Sequence, residues 1–254
     1  MESMKSMRYG DMEVGIYSSN QALGVAAAED LAEILRAAIA ERGEASVILA
    51  TGNSQLSFME ALRAERDIAW DEVTVFHMDE YLGMSDQHPA SFRRYIREKL
   101  TDVVHPRAFY GIRGDAEDIE AELARYTSLI MEHNPVACVL GFGENGHLAF
   151  NDPPADFETD RTIHVVKLAE AARRQQVGEG HFATLDEVPR EALTLTVPAL
   201  LAPSRVLAVV PEARKALAVK TALEGPVSPD CPASILRTQA HIKLYLDPDS
   251  AALL

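Results

Sequence analysis

Short apolar runs that alternate with amphipathic segments are the feature of this sequence that most limits its fold. Runs such as "ASVILATG" and "SRVLAVVP" end in turn residues, and each is followed by a segment with helical spacing. A short run that is apolar throughout is typical of a strand buried on both faces. Helices between such strands cover both faces of the sheet. The pattern therefore predicts an α/β fold with a mostly parallel, doubly wound, Rossmann-like sheet.

The chain has 254 residues, of which 47% are hydrophobic and 25% are charged. This length and composition suit one globular core, and neither a linker nor an internal repeat interrupts the pattern. We therefore predict a single domain over residues 1–254, with its first strand at residues 12–19. The run "EVTVFHMDEY" predicts one continuous strand. Residues 154–189 form the least regular segment and are predicted to contain a lid or loop.

Acidic side chains outnumber basic ones by 39 to 24, which gives a formal net charge of −15. Such a surplus repels nucleic-acid phosphates and anionic lipid. The sequence contains no apolar run of about eighteen residues, the length of a membrane-spanning helix. The two cysteines, Cys138 and Cys231, have no metal-binding spacing. We therefore expect a cytoplasmic protein with reduced thiols, no metal, and neither nucleic acid nor membrane as a partner.

The stretch "GFGENGHLAFNDPP" places His147 after the predicted strand "PVACVLGFG", five residues before Asp152. In α/β folds the carboxyl ends of strands are where ligands bind. An imidazole can accept and return a proton near neutral pH, and Asp152 could orient it. The alternative is a polar side chain with a purely structural partner, and the spacing leaves both open.

Two further stretches suggest an anion site. In "ATGNSQ", between a strand and a helix, Thr51 and Ser54 could bind an anion at the helix N-terminus, or Asn53 or Ser54 could simply cap the helix. In "PEARKALAVKTALEG", Arg214 and Lys215 open a helix, where cations are unfavourable unless an anion is present. The alternative is a solvated basic pair.

Adjacent carboxylates occur in "HMDEYLG", again where a strand ends. Asp79 and Glu80 point in opposite directions on an extended chain, so one of them at most can face a given pocket. That one could act as a lone base. The alternative is that both are exposed acids in a loop.

In this order, "ATGNS", "MDEY", "GFGENGHLAFNDP" and "RKALAVKTALEG" resemble the glucosamine-6-phosphate deaminase/isomerase family, whose fold is shared with 6-phosphogluconolactonases. The resemblance extends over residues 47–225. It implies that Asp79 moves a proton between C2 and C1 of the open-chain sugar, and that His147 opens the pyranose ring. It also implies that Lys215 binds the phosphate of the sugar. The residues matched to the phosphate loop are Thr51, Gly52, Asn53 and Ser54.

The resemblance further implies the products fructose 6-phosphate and ammonia, with a small phosphosugar as partner and no cofactor. Members range from monomers to hexamers, so a homo-oligomer is allowed but not required. Many deaminases have Asp where this chain has Asn145 and Glu where it has Asp152. An amide cannot titrate, so the ring-opening relay would depend on His147 and Asp152.

A phosphate-binding arginine of the family falls in the region of "AEAARRQQVGEGHF", where an ungapped comparison places Gly178. Arg173 or Arg174 could replace it from a shifted loop. This difference makes a related substrate, such as galactosamine 6-phosphate, the main alternative. A lactonase and a non-catalytic sugar-phosphate sensor are two others. The "MDEY" and "NGHLAFNDP" stretches disfavour the lactonase. A sensor that regulates transcription would need a DNA-binding domain, and this sequence shows no basic helix-turn-helix segment ahead of Met12.

Overall fold

The structure, a computed structural model, describes residues 3–178 and 180–254. Its strands are β1 (Lys5–Tyr9), β2 (Met12–Ile16), β3 (Ala45–Leu49), β4 (Val73–His77), β5 (Asp79–Tyr81), β6 (Ala108–Tyr110), β7 (Ala137–Leu140), β8 (Ile163–Lys167), β9 (Glu191–Leu195), β10 (Arg205–Val210) and β11 (Ile242–Leu246). Its α-helices are α1 (Asn20–Arg42), α2 (Leu56–Ala64), α3 (Phe92–Ile96), α4 (Asp102–Val104), α5 (Ile119–His133), α6 (Glu170–Gly178), α7 (Val197–Leu201) and α8 (Ala216–Glu224).

Eight strands form one twisted sheet in the order β1-β2-β11-β10-β7-β3-β4-β6. Every neighbouring pair is parallel except β1 with β2. Alternate residues of one strand face opposite sides, so Ile48 packs into one hydrophobic core and Leu49 into the other. The first core receives α5 and α8, and the second receives α1 and α2. The predicted α/β fold with helices on both faces is confirmed.

Helix α1 shows how local sequence sets the boundaries of an element. The Ser19 side chain accepts a hydrogen bond from the Ala22 N–H at 3.1 Å, which caps the first turn. Gly43 ends the helix with φ +79°, the left-handed conformation that glycine adopts without strain. None of the described helices is long and apolar enough to cross a membrane.

A second, antiparallel sheet of β5, β9 and β8 was not predicted. The prediction of one strand across "EVTVFHMDEY" is wrong, because β4 ends at His77 and β5 begins at Asp79 in the other sheet. An apolar pattern does not specify which neighbour a strand pairs with. The least regular segment, residues 154–189, contains both β8 and α6. Strand β1, which precedes the predicted first strand, was also missed.

Candidate active site

The carboxyl ends of β3, β4, β7 and β10 meet at one edge of the large sheet and form a cleft, as expected for a parallel sheet. The seven sequence-predicted residues that line it are Thr51, Gly52, Asn53, Ser54, Asp79, His147 and Lys215. An outer part of the cleft shares Asn53 and His147 with the inner part and adds Asn145. The structure thus brings together side chains from four separate stretches of sequence.

The loop after β3 turns sharply at Gly52, whose φ of +96° favours glycine. A 3₁₀ turn over Asn53–Gln55 then leads into α2. Among the described residues, neither Asn53 nor Ser54 caps this helix through its side chain, so the capping alternative is wrong. The Tyr95 hydroxyl donates to the Gly52 carbonyl at 2.9 Å and holds the loop in place.

Asp79 and Glu80 point in opposite directions on β5, as the alternation predicts, and both are buried. The exposed-acid alternative is therefore wrong. Asp79 faces the cleft, and within residues 3–178 and 180–254 its Oδ1 has no hydrogen-bond partner. Glu80 points away and accepts four hydrogen bonds, from the Ser91 hydroxyl and from the N–H groups of Tyr81, Phe92 and Arg93.

These environments set the proton affinity of Asp79. Burial, followed by the negative charge of Glu80, raises the pKa of the Asp79 carboxyl to about 8. A carboxyl group with so high a pKa can hold a proton near neutral pH and can also accept one from a weak acid. Asp79 is thus suited to act as a base.

His147 lies in the glycine-rich turn after β7, with its Nδ1 3.4 Å from Oδ1 of Asp152. Asn145 joins the two, because its Nδ2 donates to Asp152 at 3.2 Å and its Oδ1 accepts the His147 N–H at 3.1 Å. The Ala169 N–H donates to the other Asp152 oxygen at 3.2 Å. Burial acts to raise the pKa of Asp152, but His147, Asn145 and Ala169 together hold that pKa below its usual value.

Gly143 explains why glycines crowd this turn. A Cβ built at Gly143 would lie 2.1 Å from Cε1 of His147 and 2.4 Å from its Nε2. Any larger residue would push the imidazole out of its position. Gly146, with φ +82°, provides a second conformation that glycine favours.

Lys215 is buried, with 4% of its surface exposed, at the end of the 3₁₀ turn that precedes α8. The solvated-pair alternative is therefore wrong for Lys215. Its neighbour Arg214 lines the outer cleft. The sequence analysis names Arg214 beside Lys215 but predicts a phosphate contact for Lys215 alone.

The two arginines offered as replacements differ in position. Arg173 donates to the carbonyls of Leu185 and Val188 and, in the part of the chain that the structure describes, does not line the cleft. Arg174 lines the outer cleft but pairs with Glu170, and 69% of its side chain is exposed.

The sequence analysis also missed four polar side chains that line the inner cleft: Gln55, Gln175, Gln176 and His181. Gln176 accepts a hydrogen bond from the buried Tyr81 hydroxyl at 2.8 Å, which ties α6 to β5. Three of the four lie in the irregular 154–189 segment, where no periodic pattern marks them. In the described ranges, no cluster of three or more His, Cys, Asp or Glu residues could hold a metal ion.

Comparison with known proteins places this site in a family. Residues 18–245 match the family of glucosamine-6-phosphate isomerases and 6-phosphogluconolactonases. The chain belongs to this family. It is 37% identical over 232 residues to the glucosamine-6-phosphate deaminase of Exiguobacterium sibiricum, which covers 89% of this chain and 90% of that protein. It is 32% identical over 228 residues to glucosamine-6-phosphate deaminase 1 of Bacillus subtilis, covering 87% and 93%.

Solved structures agree with this membership. A monomeric glucosamine-6-phosphate deaminase superposes with a TM-score of 0.87 at 29% identity, covering 98% of this chain and all of that one. The 6-phosphogluconolactonase of Trypanosoma brucei gives a TM-score of 0.76 at 17% identity and covers 98% of this chain and 100% of that one. At that identity the second match shows the shared fold alone.

Proposed function

We propose that this protein is a glucosamine-6-phosphate deaminase, which converts glucosamine 6-phosphate and water into fructose 6-phosphate and ammonia. The observation that carries the proposal is the meeting of Asp79 and His147 in one cleft with Lys215 and the loop of Thr51–Ser54. The 37% identity to a deaminase supports it.

The phosphate end of the substrate binds at the loop after β3. The loop of Thr51–Ser54 lines one side and offers backbone N–H groups and two hydroxyls as donors, and the Lys215 ammonium supplies positive charge. Because the protein as a whole is strongly acidic, this local charge is what attracts a phosphosugar. Binding at a fixed end positions C1 and C2 deeper in the cleft.

His147 opens the pyranose ring. Its imidazole takes the proton of the C1 hydroxyl and donates a proton to the ring oxygen as the bond from that oxygen to C1 breaks, which leaves an aldehyde at C1 and a hydroxyl at C5. Asp152 orients the imidazole and stabilises its protonated form, and Asn145 holds Asp152 in position.

Asp79 then moves the C2 proton. The ammonium group at C2 of the bound substrate is a positive charge near the carboxyl, so it lowers the pKa of Asp79 and leaves the carboxylate free to act as a base. Asp79 removes the proton from C2 and returns it to C1, and O1 takes a proton that the C2 ammonium gives up. The aldehyde and the C2 ammonium thus become a C1 hydroxyl and a C2 iminium. Water adds to C2 and ammonia leaves, giving the ketone of fructose 6-phosphate.

The test is ammonia release by the purified protein from glucosamine 6-phosphate, with galactosamine 6-phosphate and 6-phosphogluconolactone in parallel. We expect the highest kcat/KM with glucosamine 6-phosphate. Faster ammonia release from the galactosamine epimer would transfer the assignment to that sugar. Lactone hydrolysis without ammonia release would support a lactonase, and binding without turnover of any of the three would support a sensor.

A further inference from the structure

The outer cleft contains a second cation, Arg214, beside the buried Lys215. Its Nη2 lies 3.4 Å from the Ser54 hydroxyl oxygen, at the loop assigned above to the substrate phosphate. The side chain is 28% exposed, so its guanidinium borders the open volume of the cleft. A ligand atom bound to this loop would therefore lie within reach of Arg214.

Two carboxylates hold Arg214 in this orientation. Glu212 accepts a hydrogen bond from Nε at 2.6 Å, and Glu144 accepts a longer one from Nη1 at 3.4 Å. Because Glu212 binds the Nε edge of the guanidinium, Nη2 is directed at Ser54 while Nη1 is directed at Glu144. A phosphate oxygen can compete with the longer contact to Glu144 more easily than with the short contact to Glu212.

The opposite wall of the cleft supplies less positive charge to this region. Gly178 lines the outer cleft there, and a Cβ added to it would meet no described atom within 4 Å. Arg173 donates to two backbone carbonyls of its own segment. Arg174 pairs with Glu170 on the outer surface of α6. Of these positions, Arg214 has the guanidinium in contact with the loop.

We propose that Arg214 determines specificity for the phosphate group and binds it together with Lys215. This inference rests on the proposed function, since that function assigns the phosphate to the loop of Thr51–Ser54. A guanidinium can donate two parallel hydrogen bonds to phosphate, whereas a lysine supplies a point charge. Arg214 thus supplies, from the 3₁₀ turn that precedes α8, a guanidinium that Gly178 cannot.

The test compares Arg214→Gln and Arg214→Lys with the wild type, and Arg36→Gln serves as the matched control. Arg36 lies on α1, outside the cleft, and pairs with Glu65 at 3.9 Å, so Arg36→Gln removes the same charge without altering the cleft. We expect Arg214→Gln to raise KM about 10- to 100-fold with kcat nearly unchanged. Arg214→Lys keeps the positive charge but not the planar guanidinium, so its KM should lie between those of the wild type and Arg214→Gln.

Binding of inorganic phosphate, measured by calorimetry, tests the same contact without turnover. Its Kd should rise in Arg214→Gln in parallel with KM and stay unchanged in Arg36→Gln. An unchanged phosphate Kd and KM in a folded Arg214→Gln protein would overturn the inference. Wild-type protein that releases no ammonia would instead contradict the proposed function. In that case the phosphate Kd of the two Arg214 variants still decides whether Arg214 binds the anion.

Discussion

Two aspartates of the site, Asp79 in the cleft and Asp152 beside His147, occupy opposite environments. Asp79 stands on the short strand β5, with 6% of its surface exposed, and its pKa is raised to about 8 by burial and by Glu80. Asp152 lies in the turn after β7, where His147, Asn145 and the Ala169 N–H hold its pKa below the usual value despite burial. One carboxyl group is built to hold a proton and the other to remain charged.

This contrast indicates a division of work in the proposed mechanism. Carboxyl groups whose environments push their pKa values apart generally serve different roles in acid and base chemistry. Asp79 has the proton affinity needed to take a proton from carbon and return it. Asp152 keeps its charge and orients His147 for ring opening. The following substitutions separate the two roles.

The largest effect should come from Asp79→Asn. An amide cannot accept the C2 proton, so we expect kcat for ammonia release to fall by about 1000-fold or more. Asp71→Asn is the matched control, because Asp71 is exposed and outside the cleft. Activity of folded Asp79→Asn within about ten-fold of wild type would remove Asp79 from the proposed role.

Gly143→Ala should produce the next largest loss. The added methyl would overlap the His147 ring, which must move by about 1 Å or more, and a displacement of that size costs about 100-fold in kcat. Gly178→Ala is the control, because the same methyl there meets open space among the described atoms. If both variants turn over like wild type, the position of His147 does not limit the reaction.

Asp152→Asn should have a smaller effect than the loss of Asp79. The variant leaves His147 in the cleft but removes the charge that orients the imidazole, so kcat should fall about 10- to 100-fold. KM should change little, because the contacts of Asp152 are with His147, Asn145 and Ala169 and not with the phosphate loop. Steady-state kinetics provide the measurement. A large rise in KM with unchanged kcat would contradict the orienting role.

The smallest effect concerns stability. Folding raises the pKa of Asp79 from 3.8 to about 8. The contribution of Asp79 to the free energy of unfolding is therefore fully present below about pH 4 and is lost as the pH rises to about 8. Asp79→Asn lacks this loss, so its Tm should exceed that of wild type by at least about 5 °C at pH 8 and by less at pH 5. Thermal unfolding at several pH values measures it.

Asp86→Asn provides the control of opposite sign. Hydrogen bonds from Arg97 and Gln87 lower the pKa of the half-buried Asp86, so Asp86 contributes stability above the unfolded pKa that is lost as the pH falls. Replacing Asp86 should give no gain in Tm at pH 8. A pH-independent Tm difference between Asp79→Asn and wild type would mean that Asp79 does not hold a raised pKa.

Much of the fold could be predicted from the sequence, because the apolar runs and the helical spacing reflect burial directly. Such runs predicted β2, β3, β4, β7, β10 and β11 of the parallel sheet but not the three-residue, partly buried β6. Ser19 and Gly43 mark the ends of α1. Strand pairing could not be predicted in the same way. The break between His77 and Asp79 transfers the chain to another sheet without any change in local pattern.

In the site, too, local features could be predicted from the sequence and tertiary contacts could not. Asp79, His147 and Lys215 stand where strands end or helices begin, so local sequence placed them in one cleft. Gln176 and His181 reach the cleft from the segment around α6, and their positions depend on tertiary contacts such as the hydrogen bond from Tyr81 to Gln176. Arg214 was visible in sequence, but its contact with Ser54 joins residues 160 positions apart.

The division between Asp79 and Asp152 is tested most directly by the isotope effect on kcat/KM with glucosamine 6-phosphate deuterated at C2. Asp152→Asn slows ring opening, so we predict that its isotope effect falls toward unity, because breaking of the C2 bond no longer limits the rate. Asp79→Glu misplaces the base, so its isotope effect should equal or exceed that of wild type. An isotope effect in Asp152→Asn as large as in Asp79→Glu would contradict the division.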